Sequence, residues 1–183
     1  MTRTEAYALL TEYTKNPNLI KHGLAVEAVM RQYAELYQQD SEEWGIVGLL
    51  HDFDYEIHPT ADEHPQKGAV ILRQRGVSEE IIDAILAHAP HTGEPRDTQL
   101  KKAIFASDEL AGLVVAVALV RPNKLLSEVT VESVMKKLNQ PSFAAKVNRD
   151  EIHQGTAELG VPLEKHVQTV IESLQAIHSE LGL

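Results

Sequence analysis

The chain contains no cysteine. That excludes disulfides, zinc–thiolate sites, iron–sulfur clusters and cysteine nucleophiles together. It also lacks any excess of positive charge. Lysine and arginine number 17 against 27 aspartates and glutamates, for a formal net charge of −10. A sequence-independent nucleic-acid binder neutralises phosphates with Lys and Arg, so no nucleic acid polymer is expected as a partner. A small phosphorylated molecule stays compatible, because a bound metal can supply positive charge locally. No apolar run is long enough for a bilayer: the longest, around Leu110 to Val120, is short and begins beside Asp108 and Glu109. The opening, MTRTEAYALLTEYTKN, lacks the apolar core of a signal peptide. No membrane partner is expected, and the cytoplasm is the expected location. Repeats and low-complexity stretches are also absent.

The 183 residues are 43% hydrophobic and 24% charged, the balance of one ordered compact domain. Nine histidines are a generous supply for this length.

Apolar residues recur with helical spacing nearly throughout, and few windows alternate with period two. The pattern predicts an all-α fold. A first helix covers about 4–15. Asn16-Pro17 opens a second, running to about 38, with Leu19, His22, Val26, Val29, Tyr33 and Leu36 as its inner stripe. A third starts near Ser41 and runs through an apolar stretch to His51-Asp52. A loop over 53–64 follows, then a helix opened by Pro65 and ended by Gly76. Ser78 caps the next, which carries Ile81, Ile85 and His88 and stops at Pro90. A long helix over about 98–119 has Leu100, Ile104, Asp108, Ala111, Val115 and Ala118 on one stripe. Shorter helices fill 124–183, the last over 163–181. No linker interrupts the chain, so one domain over 1–183 is expected, with its core at about 18–118 and a C-terminal helical extension over 119–183 packed on it.

Polar groups on apolar stripes carry the chemistry. His22 and Asp108 both sit among apolar neighbours. A carboxylate removed from water without a partner costs several kcal/mol, roughly, so Asp108 requires a cation, a hydrogen-bond network or a metal. His51-Asp52 ends the most apolar stretch of the third helix. His88 ends another stripe, and His64 and His91 flank helix ends, where side chains can converge on a cleft. Imidazoles and carboxylates without thiolates suit Fe, Mn, Ni, Co or Zn, and with fewer histidines Mg. His58 reads as a loop residue, and His153, His166 and His178 as surface or boundary residues.

The order His…His-Asp…Asp resembles the HD-domain metal-dependent phosphohydrolases. NLIKHGLAV is similar to that family's first-histidine helix, VGLLHDFD to its LLHD signature, and AIFASDELAG to the helix of its last aspartate. The resemblance covers roughly 18–115. It implies an HD-domain helical bundle in which His22, His51, Asp52 and Asp108 hold a metal. DEHPQKGAVIL, with His64 and Gly68 beyond it, and ILAHAPH, with His88, resemble members that bind a second metal, with Asp52 as bridge. His91 is a spare. The resemblance further implies one or two divalent metals and hydrolysis of a small phosphate ester or phosphoanhydride, such as a nucleotide, by a metal-activated water. A diiron oxygenase and a quiet nucleotide-binding domain are the alternatives.

The family's frequent His-Asp-x-Gly-Lys is here His51-Asp52-Phe53-Asp54-Tyr55-Glu56, so glycine and lysine are missing. Phosphate contact must come from elsewhere: Lys67, Arg121 and Lys124 are the candidates, followed by Lys137 and Arg149. Asp54 and Glu56 are candidate general acids, and Asp52 and Asp54 the expected catalytic carboxylates. Residues 121–152 resemble the tail of a small bacterial group of HD hydrolases and are expected to cap the cleft.

Overall fold

A computed structural model describes residues 1–183 and contains helices and turns without strands. The helices are α1 (Arg3–Tyr13), α2 (Pro17–Leu36), α3 (Ser41–Leu50), α4 (Gln66–Gln74), α5 (Glu79–Ala87), α6 (Gln99–Leu119), α7 (Val131–Leu138), α8 (Arg149–Leu159), α9 (Leu163–Ala176) and α10 (His178–Leu181). No helix is long and apolar enough to cross a membrane.

Side-chain caps set several starts. Asn16 accepts the amide of Asn18 ahead of Pro17, Asp40 those of Glu42 and Glu43, Thr98 that of Lys101, and Asn148 those of Asp150 and Glu151. Each satisfies amides that the first turn leaves without a partner.

Two boundaries differ from the sequence reading. Helix α3 ends at Leu50, and residues 51–57 continue as turns, although His51 itself keeps helical dihedrals. The last segment breaks at Ile177, where α9 gives way to α10. Leu36, placed on the inner stripe of α2, is 55% exposed as the last residue of its helix.

One cluster of 44 buried apolar residues extends from Ala6 to Leu181, with Ile152, Val167, Val170 and Leu174 contributed by α8 and α9. Two glycines let backbones approach. A Cβ on Gly48 would lie 2.8 Å from the Val26 carbonyl oxygen, which brings α3 against α2. A Cβ on Gly155 would lie 2.7 Å from the Ala106 Cα, which brings α8 against α6.

His166, expected as a surface or boundary residue, is fully buried. Its Nε2 meets the Ala106 carbonyl at 2.8 Å and its Nδ1 the Tyr33 hydroxyl at 2.5 Å. A carbonyl only accepts, so Nε2 carries the proton and Tyr33 donates to Nδ1. Helix α9 buries a face wide enough to take in His166, Thr169 and Ser173 beside its aliphatic stripe. The apolar residues alone do not reveal that width.

Candidate metal centre

The site gathers where α2, the turn after α3, the start of α4, the end of α5 and the middle of α6 meet. His22 comes from α2, His51 and Asp52 from the end of α3, His64 from just ahead of α4, His88 from the end of α5 and Asp108 from α6. All six converge, in two groups of three: His22, His51 and Asp108, and Asp52, His64 and His88.

In the first group His22 Nε2 lies 2.9 Å from Asp108 Oδ1 and 3.2 Å from His51 Nε2. His51 Nε2 lies 3.4 Å from the same Asp108 oxygen. In the second group His64 Nε2 and His88 Nε2 are 3.3 Å apart, and 3.1 and 3.4 Å from Asp52 Oδ1. Asp52 joins the groups. Its other oxygen, Oδ2, faces His51 Nε2 at 3.7 Å and His22 Nε2 at 3.9 Å.

The rear nitrogens of three imidazoles are fixed. His51 Nδ1 donates to the Gly48 carbonyl at 2.8 Å, and His88 Nδ1 donates to the Ile85 carbonyl. His64 Nδ1 donates to Asp54 Oδ1 at 2.8 Å. With Nδ1 protonated, each neutral ring points an Nε2 lone pair into the site. Two such lone pairs facing at 3.3 Å, with a carboxylate oxygen beside them, have no donor among themselves. A proton or a cation must lie between them, and this donor set fits a divalent metal in each group.

Without a cation, protons fill that role. Burial pulls the His51 imidazolium down, but Asp52 and Asp108 outweigh it and raise the group to about 9. At His64 burial is again outweighed, here by hydrogen bonds to Asp52 and Asp54, and the group is raised to about 9. Burial pushes Asp52 and Asp108 up, yet the neighbouring imidazoles hold both well below the usual carboxylate range.

Asp54 does not line the cleft, which corrects its expected catalytic role. It is fully buried, with one oxygen on His64 and the other accepting the Gly68 amide at 2.9 Å. It orients His64 and has no oxygen left for a leaving group. A Cβ on Gly68 would lie 2.7 Å from the Asp54 Cγ, so this carboxylate fits only against glycine.

The cleft over the two groups has a volume of about 330 Å³ and contains no lysine or arginine. Tyr55, His91, Glu109, Gly112 and Glu151 complete its walls. Lys67 is half exposed and paired with Glu63. Arg121 and Lys124 follow α6 outside the cleft. Lys137 sits over the Phe143 ring, 4.5 Å from its centroid, and Arg149 donates to five main-chain carbonyls between Leu138 and Val147. None of these five lines the cleft, so the expected phosphate contacts are corrected. Each is drawn off by a nearer partner or by its place beyond α6. Glu56 accepts the amides of Lys15 and Asn16 at the start of α2 and is likewise outside.

His91 does reach the cleft, with Nε2 donating to the His64 carbonyl at 2.8 Å. Glu109 and Glu151 were not singled out from the sequence. Glu109 follows Asp108 directly, which is a signal; Glu151, brought in by α8, has no local one. Burial and the Asp108 charge push Glu109 up to about 7, and the same two causes push Glu151 up.

Residues 19–176 match the model of the HD domain. The chain belongs to the HD domain family. That family is typically one of metal-dependent phosphohydrolases that bind divalent metals. The HD match continues past 118 to Ala176, the last residue of α9. Among curated proteins, the HD chain is similar to the Ribonuclease Y of Nitratidesulfovibrio vulgaris, 32% identical over 96 residues, 52% of this chain and 18% of the relative. It is also similar to the Ribonuclease Y of Lawsonia intracellularis, 31% identical over 129 residues, 70% of this chain and 22% of the relative. The chain thus spans about a fifth of the length of these relatives. No solved structure matches.

Proposed function

We propose that this HD domain hydrolyses a small phosphate ester or phosphoanhydride, with a nucleotide among the candidates. The observation that carries the reading is the division of six ligands into two groups that share Asp52, one oxygen to each. When bound there, divalent cations would polarise the phosphoryl oxygens and acidify a water.

The chain's own groups have separate tasks. Gly48, Ile85 and Asp54 hold three imidazoles with Nε2 forward. Glu109 accepts the Asn148 amide with Oε2 at 3.1 Å, which leaves Oε1 to carry a proton toward a leaving group. A pKa near 7 suits that task.

The relatives' name points to RNA. A cleft without lysine or arginine, in a chain of net charge −10, supports a small substrate instead. The same ligand set would also serve a diiron oxygenase.

The test strips the protein of metal and reloads it with Mn, Fe, Ni or Mg in turn. Each form is offered a panel of phosphorylated metabolites, with phosphate release and oxygen uptake both followed. Phosphate release that disappears in His51→Ala and Asp52→Ala, together with bound metal, is the expected result. Full metal content in either variant would sink the assignment, and Fe-dependent oxygen uptake without phosphate release would favour the oxygenase.

A further inference from the structure

A second cavity, of about 280 Å³, adjoins the metal cleft. The two share His22 and Gly112 as common wall. Beyond that wall the lining turns apolar, with Val115, Leu119 and Leu181. Leu119 is 49% exposed there. Gly112 stands one helical turn after Asp108. A Cβ on Gly112 would meet nothing within 4 Å, so the absent side chain leaves open space between the cavities. Lys21 is the one lysine or arginine lining either cavity, and it enters no ion pair.

We infer that this annex receives the organic part of the substrate: a mainly apolar group, aromatic or aliphatic, attached to the phosphoryl group held in the cleft. The inference rests on the phosphohydrolase reading above. Continuity fixes the occupant. A group leaving the cleft on the His22 side passes Gly112 and meets apolar side chains. On the other sides it meets the carboxylates of Glu109 and Glu151 or the polar wall of Tyr55 and His91. The cleft holds no lysine or arginine to grip a second phosphate, so a compact monoester with an apolar leaving group fits better than a polyphosphate. Lys21 lets the annex, unlike the cleft, tolerate an acceptor on that group.

The experiment is calorimetry on the Mn-loaded protein with two non-hydrolysable probes, methylphosphonate and 1-naphthylmethylphosphonate. The naphthyl probe is expected to bind at least tenfold more tightly. Gly112→Leu, whose side chain would fill the passage, and Val115→Asp, which makes the annex polar, are each expected to bring the ratio of affinities close to one. Metal content and thermal unfolding are measured on both variants, so that a folding defect is recognised. Equal affinities in the wild-type protein, or a naphthyl advantage kept in both variants, would overturn the annex assignment and leave the phosphohydrolase reading standing. Failure of both probes to bind at all would overturn both. A self-association seen by sedimentation and lost in Gly112→Leu, with no naphthyl preference, would assign the annex to a second copy of the chain and likewise overturn the inference.

Discussion

Asp54 grips His64 from behind: its Oδ1 lies 2.8 Å from the ring's Nδ1, while Oδ2 holds the Gly68 amide. Carboxylates in this position fix the tautomer and direction of a metal-binding imidazole, and losing one typically lowers metal affinity about 10–100-fold. Asp54→Ala is therefore expected to weaken the Asp52–His64–His88 group by that order and to spare the other group. Gly68→Ala should act in the same direction, because its Cβ would press on the carboxylate from 2.7 Å. Metal titration read by elemental analysis checks both. Unchanged stoichiometry and affinity in Asp54→Ala would contradict the orienting role.

The buried pair of His166 and Tyr33 makes stability sensitive to acid. Burial lowers the His166 pKa from 6.5 to about 4 in the folded chain. The unfolded chain binds the proton more readily, so this contribution is complete above about 6.5 and is lost as pH falls through about 4. The span corresponds to on the order of 3 kcal/mol. Urea unfolding from pH 7.5 to 4 should show that acid limb. In His166→Leu the limb should shrink, while stability at pH 7.5 drops by about 1–3 kcal/mol because the Tyr33 hydroxyl is left without its acceptor.

Two glycines should respond to alanine with opposite signs. Gly155→Ala places a Cβ 2.7 Å from the Ala106 backbone and forces α8 off α6, at a cost of about 1–3 kcal/mol. Gly112→Ala meets nothing within 4 Å and gains helix propensity, up to about 1 kcal/mol. Thermal unfolding of the two variants side by side distinguishes them; equal signs would contradict the packing.

Arg149 ties down the segment between α7 and α8 through carbonyls of Leu138, Gln140, Phe143, Ala144 and Val147. A lysine has a single ammonium in place of the planar fork and cannot reproduce this set. Arg149→Lys should open residues 139–147 to limited proteolysis well below the global unfolding temperature. Because Asn148 beside it donates to Glu109, phosphatase activity should fall as well.

Helix-scale features were legible in the sequence because they are local. Asn16-Pro17, Pro65 and Ser78 mark helix starts through groups only a few residues away, and apolar spacing marks the inward face. The motifs around His22, His51-Asp52 and Asp108 likewise identify the HD family, since each is a short run of residues.

What the residues could not decide alone is how those runs face one another. Asp52 presents Oδ1 to one pair of histidines and Oδ2 to another only because α2, α3, α5 and α6 are packed as they are. Asp54 reads as a catalytic carboxylate until Gly68 and His64 close over it, and His166 as a surface or boundary residue until α2 and α6 cover it. Lys67, Arg121 and Lys124 are plausible phosphate ligands by charge alone, and their distance from the cleft is a fact of tertiary placement. The sequence by itself determined the helices, the family and the types of metal-binding residue, all of which depend on short stretches of chain. The pairing of ligands, the acidic cleft and the apolar annex beyond Gly112 depend on contacts between distant segments, and only the packed structure settles those.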